Sequence, residues 1–126
     1  MLLLLVLVEP STIEGDWRNP NGSVIITIGP CGDALCGRVR WASEEAMADA
    51  RRGGTDPLIG AEILSDLVPF TSNRFRGRIF VPDANRRSGA QLELLGPDQV
   101  RIKGCAVGGR LFCRSQVWNR VITGAS

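Results

Sequence analysis

A chain of 126 residues with 44% hydrophobic content is long enough to bury one core and too short for two. Its formal net charge of +2, from 15 Lys and Arg against 13 Asp and Glu, excludes a role driven by bulk charge, such as wrapping a polyanion. Fifteen glycines and seven prolines demand short elements with frequent turns, and the lack of His and Tyr removes Ser-His and Cys-His nucleophile pairs.

Taken in order, the chain opens on Leu2 to Val8, an unbroken run of seven apolar residues. That is the length of a minimal signal-peptide core and far short of an integral membrane span. No Lys or Arg precedes it, and no small-x-small cleavage site follows before Glu9-Pro10-Ser11. We read residues 1–12 as a truncated leader, with an ordinary buried first strand as the alternative. The leader reading places the chain in the periplasm or outside the cell.

Gly15-Asp16-Trp17 starts the domain, and Asn19-Pro20 with Asn21-Gly22 predicts a turn. Ser23 to Ile28 is β-branched and reads as a strand. Pro30-Cys31-Gly32-Asp33 turns it, and the chain returns through Leu35 to Trp41. Period-two alternation there predicts Leu35, Gly37, Val39 and Trp41 inward, with Cys36, Arg38 and Arg40 outward. Ser43-Glu44-Glu45 opens one short helix, with Ser43 as its N-cap and Gly53-Gly54 as its stop. Its polarity predicts a peripheral position. Leu58 to Val68 reads as a strand kinked at Gly60 and ended by Pro69. Asn73 to Val81 alternates Phe75, Gly77, Ile79 and Val81 inward against Arg74, Arg76, Arg78 and Phe80. Leu92, Leu94, Val100, Ile102 and Gly104 continue the inward set on two further strands.

The stretch Gly104 to Val121 is the most informative. Cys105 and Cys113 flank Gly108-Gly109, and their midpoint falls on Gly109, so a hairpin centred there opposes the two cysteines directly. Cys31 and Cys36 flank Gly32-Asp33 in the same way. Four thiols allow three pairings, and the turns favour the local ones, Cys31–Cys36 and Cys105–Cys113. Free thiols and a zinc site are the other readings; zinc is disfavoured by the wide spacings and the absence of His. Each local bridge closes a short loop, worth ~2–3 kcal/mol in the chain-entropy picture.

Parity then carries both bridges to the outer face and places Phe112, Arg114, Gln116, Trp118 and Arg120 inside. Buried charge is costly unless paired. Three readings stay open: a β-bulge near the hairpin that flips the parity, arginines at the barrel ends stacked on aromatics, or a polar pocket. Trp41, Arg114, Gln116 and Trp118 are the candidate ligand-binding residues.

Seven or eight antiparallel strands, short connections and one brief helix define an all-β fold. A small closed or nearly closed antiparallel barrel buries such strands without leaving edges. The domain spans 13–122, with 123–126 as a tail.

Gly15-Asp16-Trp17 with Trp118-Asn119-Arg120 resembles the lipocalin-like (calycin) arrangement, in which a G-x-W tryptophan closes one barrel end and a last-strand arginine packs across it. The resemblance implies that Trp17 and Arg120 are the barrel-closing pair, expected within about 6 Å of each other. The order EGDWRNPNG, CGDALCGRVRW, GGTDPLIGAEIL, RFRGRIFVPD and GCAVGGRLFCRSQVWNRV is similar to the bacterial domain of unknown function 2147 family over about Glu14 to Val121. The resemblance implies a calycin-like barrel outside the cytoplasm, and it supplies no reaction or ligand. A small apolar or amphipathic ligand, or an envelope protein partner, fits such a barrel, with a filled-core interaction barrel (an inhibitor or adaptor) as the alternative. Asp56, Glu62, Asp66 and Asp83 are the residues a carboxylate-based hydrolase would draw on, yet Asp56 and Asp83 fall in proline turns. No cofactor, metal site or catalytic residue is expected, and nucleic acid is disfavoured because Phe75 points away from the flanking arginines.

Overall fold

The computed structural model describes the backbone over residues 12–108 and 110–122, and side chains over 12–105 and 113–122. The run Leu2–Val8, expected to be a leader, the expected hairpin centre Gly109, the side chain of Phe112 and residues 123–126 lie outside the described residues. Eight strands follow one another around a closed barrel: β1 (Gly15–Arg18), β2 (Val24–Cys31), β3 (Ala34–Ala42), β4 (Glu62–Pro69), β5 (Arg74–Val81), β6 (Arg86–Leu94), β7 (Gln99–Gly108) and β8 (Arg110–Arg120). Every neighbour is antiparallel, and closure comes from Trp17 against Arg120 and Arg18 against Asn119. Helix α1 (Glu44–Arg52) connects β3 to β4.

Up-and-down connectivity sorts the turns. The β2–β3, β4–β5 and β6–β7 turns share one end, the foot, with the entry to β1 and the exit from β8. The β1–β2 and β5–β6 turns and α1 share the other, the mouth. The foot half is packed solid by Trp17, Ile26, Ile28, Leu64, Leu67, Leu92 and Val100, each with at most 1% exposure. Close packing of this kind is where most of the burial energy resides.

Both bridges follow the local pairing, Cys31–Cys36 and Cys105–Cys113, and the second joins directly opposed residues. Cys36 is buried, but under Glu62 and Arg38 on the outer wall and apart from the apolar core. The outer arginines meet acids: Arg38 lies 3.0 Å from Glu62, Arg40 2.9 Å from Asp16 and Arg74 3.6 Å from Glu93. Phe75 packs against the core, while Arg76 lies 4.3 Å from the Phe70 ring centroid.

Three expectations are corrected. Trp41 is 46% exposed and outward, because Ile25 pairs with Trp41 while Ile26 pairs with Val39. Arg40 is the extra residue of a β-bulge, and one added residue hands the inward place to Ala42. The fourth strand begins at Glu62 rather than Leu58. Leu58–Ala61 instead runs as a loop tied to β3, with Gly60 N–H donating to Val39 O and Val39 N–H to Ala61 O. Val81 is 41% exposed at the mouth, whereas Phe80 packs against the core and carries Arg87 4.8 Å from its ring centroid.

Candidate functional site

At the foot, Gly15 adopts φ +130°, and a β-carbon there would stand 2.6 Å from Arg120 Nη1. The missing side chain is what admits the guanidinium. Arg120 lies 4.3 Å from the Trp17 ring centroid and donates to three carbonyls: Pro97 O at 2.7 Å, Glu14 O at 2.8 Å and Thr12 O at 2.7 Å. Trp17 Nε1–H donates to Ile13 O at 2.9 Å. The foot is therefore sealed by one cation over one indole, with every indole and guanidinium nitrogen satisfied by backbone.

The mouth is different. Above the packed half lies a half-open cavity of about 890 Å³. Val39, Leu58, Ile63, Ile79 and Ile102 make its apolar wall, and Ser88, Arg114 and Gln116 add polar groups. Trp118, 9% exposed, forms its floor-side wall and donates its indole N–H to Gln116 Oε1 at 3.0 Å. That bond fixes the orientation of the Gln116 amide. Glu45, Asp49 and Asp83 lie on the rim, with Asp49 paired to Arg52.

Helix α1 forms part of this rim. Ser43 Oγ accepts from Ala46 N–H as its N-cap, and Gly53 ends it by donating to Asp49 O and Ala50 O. Ala50 is fully buried, and Glu45, Ala46 and Asp49 line the cavity. A β-carbon on Gly53 would lie 2.0 Å from Asp83 O, and Thr55 Oγ1 donates to Pro82 O at 3.0 Å. The helix is thus seated on the β5–β6 turn as a partial cover, a role its polarity did not suggest.

The candidate residues divide accordingly. Arg114, Gln116 and Trp118 come together on the inner wall, whereas Trp41 does not join them. The β7–β8 register is unbroken from Gln99–Asn119 to Gly108–Arg110, which removes the bulge reading of the inward arginines. Arg120 takes the end-stacking place and Arg114 the cavity place. The residues sequence reasoning missed are the apolar wall from Leu58 and Ile63 and the helix face; neither carries a local signal, since both depend on a loop and a helix folding back over the mouth. Of the carboxylates, Glu62 and Asp66 share a small outer cleft with Arg78, Asp83 sits on the cavity rim, and Asp56 lines neither.

This architecture defines a lipocalin-like barrel: eight antiparallel strands, one end sealed by a tryptophan–arginine pair and the other open to an internal cavity. Among solved structures it is similar to protein HP1028 from the human pathogen Helicobacter pylori, described as belonging to the lipocalin family, with a TM-score of 0.67 and 7% identity over 89% of this chain and 84% of that one. No curated protein matches the sequence. Residues 15–120 match the family described as uncharacterized protein conserved in bacteria (DUF2147), and the chain belongs to that family.

Proposed function

We propose that this protein is a non-enzymatic binding barrel of the bacterial envelope or exterior that holds a small apolar or amphipathic ligand in the cavity at its mouth. The observation that carries the reading is the cavity itself. At about 890 Å³ it lies within the roughly 300–1,000 Å³ range of small-molecule sites, with a mostly apolar wall and a few convergent polar groups. An apolar body would lie against Ile63, Ile79 and Ile102, and its polar end against Gln116 and Arg114. The volume speaks against a filled-core barrel acting only through its surface.

Two disulfides support an oxidising, exported location, periplasmic or secreted. Among the described residues no helix is long and apolar enough to cross a membrane.

Titration with a fluorescent fatty-acid probe tests the reading. Saturable enhancement with a change in Trp118 emission is expected, and Ser88→Trp, which fills the cavity from β6, should abolish both. Absence of saturable enhancement together with unchanged tryptophan emission would end it.

A further inference from the structure

The barrel wall is interrupted on one side. β8 pairs with β7 from Arg110 to Asn119, but it meets β1 only at Asn119 and Arg120. β1 stops at Arg18, and the chain turns away through residues 19–23 into β2. From Trp118 toward the mouth, β8 therefore has a strand neighbour on one side alone among the described residues.

The direction of its backbone groups follows from two bonds at its end. Val121 N–H donates to Asp16 O on the β1 side, and Arg120 N–H to Asp98 O on the β7 side. Successive residues of a strand alternate in this respect. Cys113, Ser115 and Val117 consequently turn their N–H and C=O groups toward the interruption. Neither proline nor a bulge interrupts this stretch, and its one charge, Arg114, is turned to the cavity side. The Cys105–Cys113 bridge also holds it in register with β7.

We propose that this edge receives an extended segment of a partner polypeptide, added antiparallel to β8 in the line that β1 vacates above Arg18, with alternate apolar side chains entering the cavity. Paired N–H and C=O groups along a strand edge are matched by another extended backbone, and pockets behind the edge select its side chains. Here the cavity opens at that edge: Asn19, Asn21 and Ser23 line it on one bank, and Arg114, Ser115 and Gln116 on the other. Among the residues lining the cavity Glu45 and Asp83 are acidic, with Asp49 held by Arg52, which suits a basic residue flanking the inserted segment. A second copy of this chain fits less well. Its β8 would arrive bonded to its own β7, bringing a two-stranded ribbon to an opening bounded by the β1–β2 turn. The inference uses the cavity but does not require a small-molecule ligand.

The test is fluorescence anisotropy with a labelled synthetic peptide alternating leucine with threonine and flanked by lysines, titrated into the disulfide-intact protein. Saturable binding is expected. N-methylation of the peptide residues whose N–H groups face β8 should weaken it about tenfold or more, while methylation of the opposite edge should not. Ser115→Pro, which deletes an edge N–H that β7 does not use, should weaken it to a similar degree. Equal binding of the two methylated peptides, or no binding of the parent peptide, overturns the inference; the peptide arms use unaltered protein and decide even where Ser115→Pro misfolds. Fatty-acid probe binding without peptide binding overturns this inference and leaves the small-ligand reading standing, and the reverse result does the opposite. A dimer in sedimentation that Ser115→Pro converts to monomer assigns the edge to a second copy and likewise overturns it.

Discussion

Arg120 satisfies three carbonyls at the point where the chain enters the barrel, and the same guanidinium lies over Trp17. Its planar fork, more than its charge, does this, since an ammonium has neither the reach nor the flat face. Arg120→Ala should cost about 2–4 kcal/mol in urea unfolding, because it strips a stacked cation and leaves the carbonyls of Thr12, Glu14 and Pro97 without their donor. Arg120→Lys should recover little of that loss. Gly15→Ala should cost about 1–3 kcal/mol by forcing both a positive φ on a side chain and the displacement of Nη1. This pair was legible because G-x-W and the terminal W-N-R carry it in adjacent residues. Trp41 was not: a single extra residue at Arg40 reverses which face follows, and nothing in the residue types there marks a bulge.

Secondary-structure elements show a similar divide. The strands were readable from alternation because period two leaves a local trace at every position. Helix α1 was readable as a helix, through Ser43 and Gly53, yet its place over the mouth was not. Its inner face is mostly alanine, too small to register as an apolar stripe, and its contact with Asp83 joins residues 30 apart in sequence. Gly53 has an ordinary helical φ, so Gly53→Ala isolates the steric contact from backbone freedom. That substitution should lower thermal stability by about 1–3 kcal/mol and speed probe entry in stopped-flow measurements, because the helix must lift from the β5–β6 turn. Unchanged stability and entry rate would mean the helix end shifts without consequence. The start of β4 escaped the reading for a related reason: Leu58–Ala61 has strand-like composition but gives its backbone bonds to β3 from a loop.

For the whole molecule, closure could be anticipated from many short strands with no long connection, since such a chain has few other ways to cover its edges. The cavity could not. A void is the residue of how volumes fail to fill space, and inward Val, Ile and Leu look the same in sequence whether they touch across the barrel or face a gap. A packed foot and a hollow mouth divide the barrel, with Trp118 standing at the boundary of the two.

Trp17 and Arg120 lie side by side in neighbouring strands, so the chain enters and leaves the barrel at one spot, on the side away from the mouth. A circular permutant that links residue 122 to residue 12 through a short flexible tether, and is cut in the β4–β5 turn, should retain the far-ultraviolet circular dichroism and probe affinity of the parent. Cutting between β7 and β8 instead should also spare the sheet, with the β7–β8 ladder and the Cys105–Cys113 bridge holding the new end of β8. Head-to-tail contiguity thus turns the linear order of this polypeptide into a ring that can be opened at a chosen seam.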